Sequence, residues 1–187
     1  MNLIRNTMRT WLALAAAITA ICGLIYLAVQ QNFRMGANDP QIQIAEDAAY
    51  RLANGESAAS LVPAQSVDIA RSLSPYLIIY DRDGKPIASN ALLHSQVPQL
   101  PAGVLDYTRQ AGEDRISWQP EPGVRSAAVI VAIQGSSGGF VLAGRSLREV
   151  ENRENNLTLI IGLGWAVTLL GTLALTILIE AFLFRQE

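Results

Sequence analysis

The chain has 187 residues, half of them hydrophobic and only 16% charged, with a formal net charge of −2. This balance, without a basic face, argues against a nucleic-acid-binding protein. The single cysteine, Cys22, excludes a disulfide framework and a thiolate metal site.

Two long stretches, residues 11–29 and 157–179, carry no charged side chain. A helix of roughly 20 apolar residues crosses the hydrocarbon core of a membrane, which is about 30 Å thick. We therefore predict transmembrane helices at residues 11–30 and 157–183. The first stretch could instead be a cleaved signal peptide, but its apolar run exceeds the usual 7–15 residues or so and lacks a small-residue cleavage site. A signal anchor is the favoured interpretation.

Basic residues that flank the spans indicate the orientation of the chain. Arg5 and Arg9 precede the first span and Arg185 follows the second, which favours cytoplasmic ends. Three arginines lie near the other ends of the spans: Arg34, Arg148 and Arg153. The basic flanks alone therefore do not decide the orientation. We predict a bacterial inner-membrane protein organised as a cytoplasmic N-terminus, an extracytoplasmic (periplasmic) domain and a cytoplasmic tail, at residues 1–10, 31–156 and 184–187.

The domain between the spans begins with a helix signal. Residues 38–55 carry Asp39 as an N-cap, Pro40 at the first helical position and Gly55 as a stop. Residues 65–73 are predicted to form a second short helix that ends before Pro75.

Five β-like runs follow. YLIIY at residues 76–80 is predicted to be a central strand, and PIAS at 86–89 an edge strand because Pro86 cannot donate to a ladder. A helix at 101–111 precedes three further strands, at 115–119, 125–134 and 140–147. The glycine-rich turn GSSGG joins the last two. The pattern predicts an α+β domain with one five-stranded antiparallel sheet and helices on one face.

This order of elements resembles the Cache or PAS-like extracytoplasmic sensor domains of bacterial histidine kinases and chemoreceptors. YDRDGKPIASN looks like that family's strand-turn-strand, and VLAGRSLREVENRENN looks like its final strand and exit helix. The resemblance implies a sensing role, with a ligand lying against the sheet under the loops. The chain departs from the family because only AFLFRQE follows Glu180, so we expect no output domain of its own. We therefore expect it to act through a partner membrane protein, such as a kinase or a cyclase.

Four side chains are candidates for binding a small-molecule ligand: Tyr80, Trp118, Arg125 and Arg145. The resemblance favours Trp118 and Arg125, and an arginine can hold a carboxylate through two hydrogen bonds. A core tryptophan and a surface ion pair would explain the same two residues without a ligand, and this alternative is favoured. Asp81 and Asp83 fall well short of a calcium loop and are explained by the chemistry of the turn.

Small residues mark a packing seam on the second span. Gly164, Thr168 and Gly171 allow close approach of another helix. The first span offers small residues in return, at Ala13, Ala16, Ala20 and Gly23. Packing against the chain's own first span is favoured over a homodimer or partner seam, which stays open.

Catalytic signatures are missing from the sequence. It contains no HExxH, GxSxG or P-loop motif, and its one histidine, His94, has no cysteine or carboxylate placed beside it by spacing. We predict no enzyme activity, no catalytic residue, no metal and no cofactor. The leading hypothesis is a membrane-anchored sensor, and the alternative is an accessory subunit whose domain docks a partner in a membrane complex.

Overall fold

The computed structural model describes residues 2–36, 38–135 and 138–183. The predicted cytoplasmic tail at 184–187, with Arg185, and the two serines of the GSSGG turn lie outside the described residues.

The described chain forms an α+β structure with long helices at both ends. The helices are α1 (Asn2–Gly36), α2 (Asp39–Ala53), α3 (Ala58–Leu61), α4 (Val104–Ala111) and α5 (Arg148–Leu183). The strands are β1 (Val67–Asp68), β2 (Tyr76–Tyr80), β3 (Pro86–Ser89), β4 (Ala91–Leu92), β5 (Glu113–Glu121), β6 (Val124–Ala132) and β7 (Phe140–Ser146). The chain divides into a helical unit, Met1–Phe33 with Asn152–Glu187, and a sheet domain, Arg34–Glu151.

Two helices of the described chain, within α1 and α5, are long and apolar enough to cross a membrane. Of the most apolar stretch in each helix, 0% is buried in α1 and 6% in α5. The core helix of a water-soluble protein would be mostly buried, whereas these helices expose large apolar side chains such as Leu24, Val167 and Leu170.

Within the helical unit, indole groups join α1 to α5. Trp11 Nε1 donates to the Leu169 carbonyl at 3.1 Å, and Trp165 Nε1 donates to Thr19 Oγ1 at 3.0 Å. Thr158 and Tyr26 also meet through their hydroxyls, so the two helices run in opposite directions. An indole N–H in an apolar setting needs an acceptor, and these two bonds set how each helix is rotated about its axis.

The predicted seam of Gly164, Thr168 and Gly171 does not lie between α1 and α5. All three are exposed, and a Cβ on either glycine would meet nothing within 4 Å. The small residues of α1 are also exposed, at Ala13, Ala16, Ala20 and Gly23. Packing against the first span is therefore not observed for this seam, while its use by a second chain stays a prediction.

The sheet domain contains a five-stranded antiparallel sheet with the order β3-β2-β7-β6-β5. The predicted strands are all present, and β3 lies at the edge as expected from Pro86. The middle strand is β7, and β2 is an interior strand next to the edge. The register aligns Ile78 with Leu142 and Leu142 with Ile130 across the three inner strands.

Both faces of this sheet are covered. On the α2 face, α2 packs through Ala45, Ala49 and Leu52 against side chains such as Ile79 and Val141. On the opposite face, here called the cavity face, Val104 and Leu105 of α4 and residues of the 91–100 segment pack over a second apolar cluster. The prediction of helices on one face is therefore wrong, because amphipathic character alone does not say which face a helix covers.

Residues 65–73 do not form the predicted helix. Val67 and Asp68 instead pair in parallel with Ala91 and Leu92 in a two-stranded sheet. Val67 N donates to the Asn90 carbonyl at 2.7 Å. Asn90 Oδ1 accepts from Leu77 N at 2.8 Å and fixes this segment against β2. Long-range pairing therefore overrides the local helix propensity.

Gln41 places an amide in the α2 face. Its side chain is fully buried, and neither Oε1 nor Nε2 has a hydrogen-bond partner within the part of the chain that the structure describes. Each unpaired buried group costs about 1–3 kcal/mol. Gln41→Leu should therefore raise the free energy of unfolding by about 1–3 kcal/mol. Denaturant unfolding of the full chain in detergent measures this.

Gln43 on the same helix is exposed and supplies the matched control. Gln43→Leu should change the free energy of unfolding by less than about 0.5 kcal/mol. A loss of stability in Gln41→Leu would show that the amide is satisfied in the native protein.

Candidate functional site

A cavity of about 530 Å³ opens on the cavity face of the sheet domain. It lies between the turn after β2, the loop at 97–103 and helix α4. Tyr80 and Pro86 border it from the strands, and Val97, Leu100 and Leu105 supply apolar walls. The volume falls within the range of small-molecule sites, about 300–1,000 Å³.

The loop that roofs this cavity is built by VPQLPAG, residues 97–103. Pro98 and Pro101 fix their own φ angles and disfavour helix in the residues before them. Gly103 adopts a φ of 86° and starts α4. The loop therefore stays irregular beside the sheet, and α4 begins only at Val104.

The turn at 81–85 forms one wall, and Asp81 has the role that turn chemistry predicts. Asp81 Oδ1 accepts from the backbone N–H groups of Asp83, at 3.0 Å, and Lys85, at 2.8 Å. Gly84 adopts a φ of 81°, and a Cβ there would press on Leu105. The prediction that the turn explains Asp81 is confirmed.

Charged groups at the rim bind one another. Arg109 donates to Asp106 Oδ1 at 2.6 Å and to the Arg82 carbonyl at 3.0 Å. Its guanidinium also lies 5.2 Å from the centroid of the Phe140 ring. Arg109 is thus held by a carboxylate, a carbonyl and an aromatic face, which neutralise its charge locally.

Three hydroxyls lie buried on the cavity face: those of Tyr76, Tyr80 and Ser126. None has a hydrogen-bond partner among the described residues. Tyr80, whose exposed fraction is 4%, also lines the cavity. Most buried hydroxyls in proteins are bonded, so three unpaired ones on a single face of a sheet call for an explanation.

Burial raises the pKa of Tyr76 to about 12. The nearby Ser126 hydroxyl offsets part of this rise, although the two hydroxyls are not aligned as a hydrogen bond. Burial also raises the pKa of Tyr80, with a smaller contribution from the charge that Tyr76 would carry. Both phenols are therefore neutral at physiological pH.

The four predicted ligand residues are divided between the two faces. Tyr80 and Trp118 belong to the apolar cluster of the cavity face, and Trp118 is not among the residues that line the cavity. Arg125 and Arg145 alternate onto the other side of their strands. Arg125 bonds Glu151 at 2.6 Å on the surface. A core tryptophan and a surface ion pair, the favoured alternative, describe Trp118 and Arg125.

Sequence reasoning missed Tyr76, Ser126 and the roof of the cavity. Tyr76 could have been predicted, because side chains alternate along a strand and Tyr76 and Tyr80 of YLIIY must therefore share a face. The roof residues Val97 and Leu100 lie in an irregular loop, which has no period that could reveal its orientation.

A second groove, of about 390 Å³, lies on the α2 side of the domain. Ala49, Tyr50 and Ala53 of α2 border it together with Glu113 and Val131. Tyr50 is 73% exposed. An exposed tyrosine beside small apolar residues is typical of a protein-binding surface.

No protein-family model and no curated protein sequence matches the chain.

Proposed function

We propose that the chain is a sensor of the bacterial inner membrane whose sheet domain binds a small molecule in the periplasm. The observation that carries this proposal is the cavity of about 530 Å³ beside the buried, unpaired Tyr80 hydroxyl. An apolar cavity with a few polar groups is the usual form of a small-molecule site. In this proposal α1 and α5 cross the membrane and both ends of the chain are cytoplasmic.

Exposure of the two long helices supports the membrane part of the proposal. Leu24 and Leu170 are each more than half exposed, as are many of their neighbours. Contiguous apolar surface of this kind requires a cover, and a bilayer covers all sides of a helix pair. The hydroxyl of Thr168 bonds the Gly164 carbonyl and that of Thr172 bonds the Thr168 carbonyl, so polar atoms on this surface are satisfied within the helix.

Strand β7 supplies the route by which binding would be transmitted. Phe140 and Leu142 of β7 belong to the cluster of the cavity face, and α5 begins at Arg148, two residues after β7 ends. Leu147 N donates to the Arg125 carbonyl at 2.8 Å and holds this junction to β6. A ligand that prefers one conformation of the domain would shift the population of states in β7 and α5. A partner membrane protein, such as a kinase or a cyclase, would read that shift. Such a two-span sensor would be of the Cache/PAS-like kind.

A cavity-filling variant tests whether a ligand binds there. The full chain in lipid nanodiscs is screened against a metabolite library by thermal shift, because a ligand that binds only the folded state raises apparent stability. We expect at least one compound to raise Tm in the wild type and to lose its effect in Ala102→Trp, which fills the cavity from an exposed loop position. Ala53→Trp, at an exposed position beside the α2 groove, should keep the effect. Equal responses in both variants would refute the cavity as the site.

Cysteine labelling tests the orientation. In a Cys22→Ser background, a membrane-impermeant maleimide added to spheroplasts should label Ser74→Cys, which is exposed in the sheet domain, and spare Asn6→Cys. The reverse pattern would contradict a periplasmic domain.

The alternative function is docking within a membrane complex, and the groove beside Tyr50 favours it. In that case the library should give no stabilisation. A membrane partner would instead co-purify with the wild type and be lost in Tyr50→Ala.

A further inference from the structure

Three neutral hydroxyls are buried on the cavity face, whereas the charged residues that line the cavity lie at its rim: Asp83, Asp106 and Arg109. Tyr80 lines the cavity, and Tyr76 and Ser126 belong to the same face of the sheet. The Tyr76 ring lies over Gly144 of β7, where a Cβ would overlap it, and this brings its hydroxyl towards β6 and Ser126. All three hydroxyl oxygens are buried without a hydrogen-bond partner in the described part of the chain.

The charges near the cavity are either bound to each other or in water. Arg109 is held by Asp106 and the Arg82 carbonyl, as described above. Asp83 is exposed in the turn. A charged group brought against the buried hydroxyls would lose its water, and because Asp106 already neutralises Arg109, this loss would be poorly offset. A neutral group would lose less and would satisfy a hydroxyl that is now unpaired.

We infer that the ligand of this cavity is an uncharged small molecule that carries a hydroxyl or carbonyl group beside an apolar ring or chain. This inference rests on the proposed function, in which the cavity is the sensory site. The Tyr80 hydroxyl bonds the polar group, and Val97, Leu100 and Leu105 contact the apolar part.

Three probes of one shape and different charge test the class of ligand: 2-phenylethanol, 2-phenylethylammonium and phenylacetate. Dissociation constants are measured on the full chain in nanodiscs. We expect the alcohol to bind at least about tenfold more tightly than either ion. Tyr80→Phe should weaken the alcohol about three- to tenfold, the range expected for one hydrogen bond. Tyr50→Phe makes the same change at an exposed tyrosine outside the cavity and should leave binding unchanged. Partition of one probe into the bilayer is the same in all variants and cancels between them, and nanodiscs without protein give the partition of each probe for the comparison between probes.

A charged probe that binds more tightly than the alcohol would overturn the inference, as would an alcohol affinity that Tyr80→Phe leaves unchanged. If such a probe is also blocked by Ala102→Trp, only the class of ligand is wrong and the cavity remains the sensory site. Absence of binding by all three probes overturns the inference, and the metabolite screen then decides the proposed function independently.

Discussion

Raising the pH from 10 to 12 should lower the free energy of unfolding of the sheet domain by about 2 kcal/mol through Tyr76 alone. The pKa of Tyr76 is raised from an ordinary value of 10 to about 12 by burial. Above pH 10 the unfolded chain loses the phenolic proton while the folded chain keeps it, so the unfolded state gains stability. The contribution is fully present below pH 10 and is lost as the pH rises through 12, at about 1 kcal/mol per pH unit midway between the two pKa values. Tyr80, whose pKa is also raised, adds to the loss.

Denaturant unfolding of the full chain at a series of pH values measures this slope, and tyrosinate absorbance reports the ionisation directly. Tyr76→Phe should reduce the slope between pH 10 and 12 to the contribution of Tyr80, without weakening the fold, because the Tyr76 hydroxyl has no partner among the described residues. Tyr50→Phe, at an exposed position, should leave the slope intact. A wild-type profile that is flat through this window would contradict the burial of both phenols.

Leu142→Ala should destabilise the sheet domain by about 2–5 kcal/mol. Leu142 is fully buried on β7, the middle strand, with Ile78 and Ile130 opposite it on the two neighbouring strands. Truncation removes apolar contacts on both sides and leaves a void that the paired strands cannot close. Chemical denaturation of the full chain measures the change.

Leu73→Ala is the control for this truncation, because Leu73 is exposed outside the regular strands. Its effect should stay within about 0.5 kcal/mol. Similar losses in the two variants would contradict the strand order in which β7 is central.

Much of the fold follows from local patterns in the sequence. The apolar runs predicted as strands at 76–80, 125–134 and 140–147 are bounded by turn residues, and these bounds locate β2, β6 and β7 to within two residues. Helix α2 is marked at both ends by Pro40 and Gly55. The prediction that failed concerns contacts between residues far apart in the chain. Val67 pairs with Ala91, and no pattern within residues 65–73 predicts that pairing.

The site was harder to predict than the fold. Choosing Tyr80, Trp118, Arg125 and Arg145 by residue type ignores that neighbouring strand positions point to opposite faces. The strand register decides which side chains lie next to each other, and it places Trp118 opposite Ser126. Ser126 follows Arg125 directly in β6, so Trp118 and Arg125 point to opposite faces of the sheet. The roof between Val97 and Gly103 depends on tertiary packing of an irregular loop, so sequence periodicity could not reveal it.

The central claim is that a small molecule binds between the turn after β2, the 97–103 loop and α4. Amide hydrogen exchange of the full chain in nanodiscs, with and without the most strongly stabilising compound of the metabolite screen, tests it most directly. We predict that the compound slows exchange in residues 80–86 and 97–109 and leaves residues 46–53 unchanged. Protection confined to 46–53 and Glu113, the borders of the α2 groove, would contradict the claim and place recognition on the other face of the sheet.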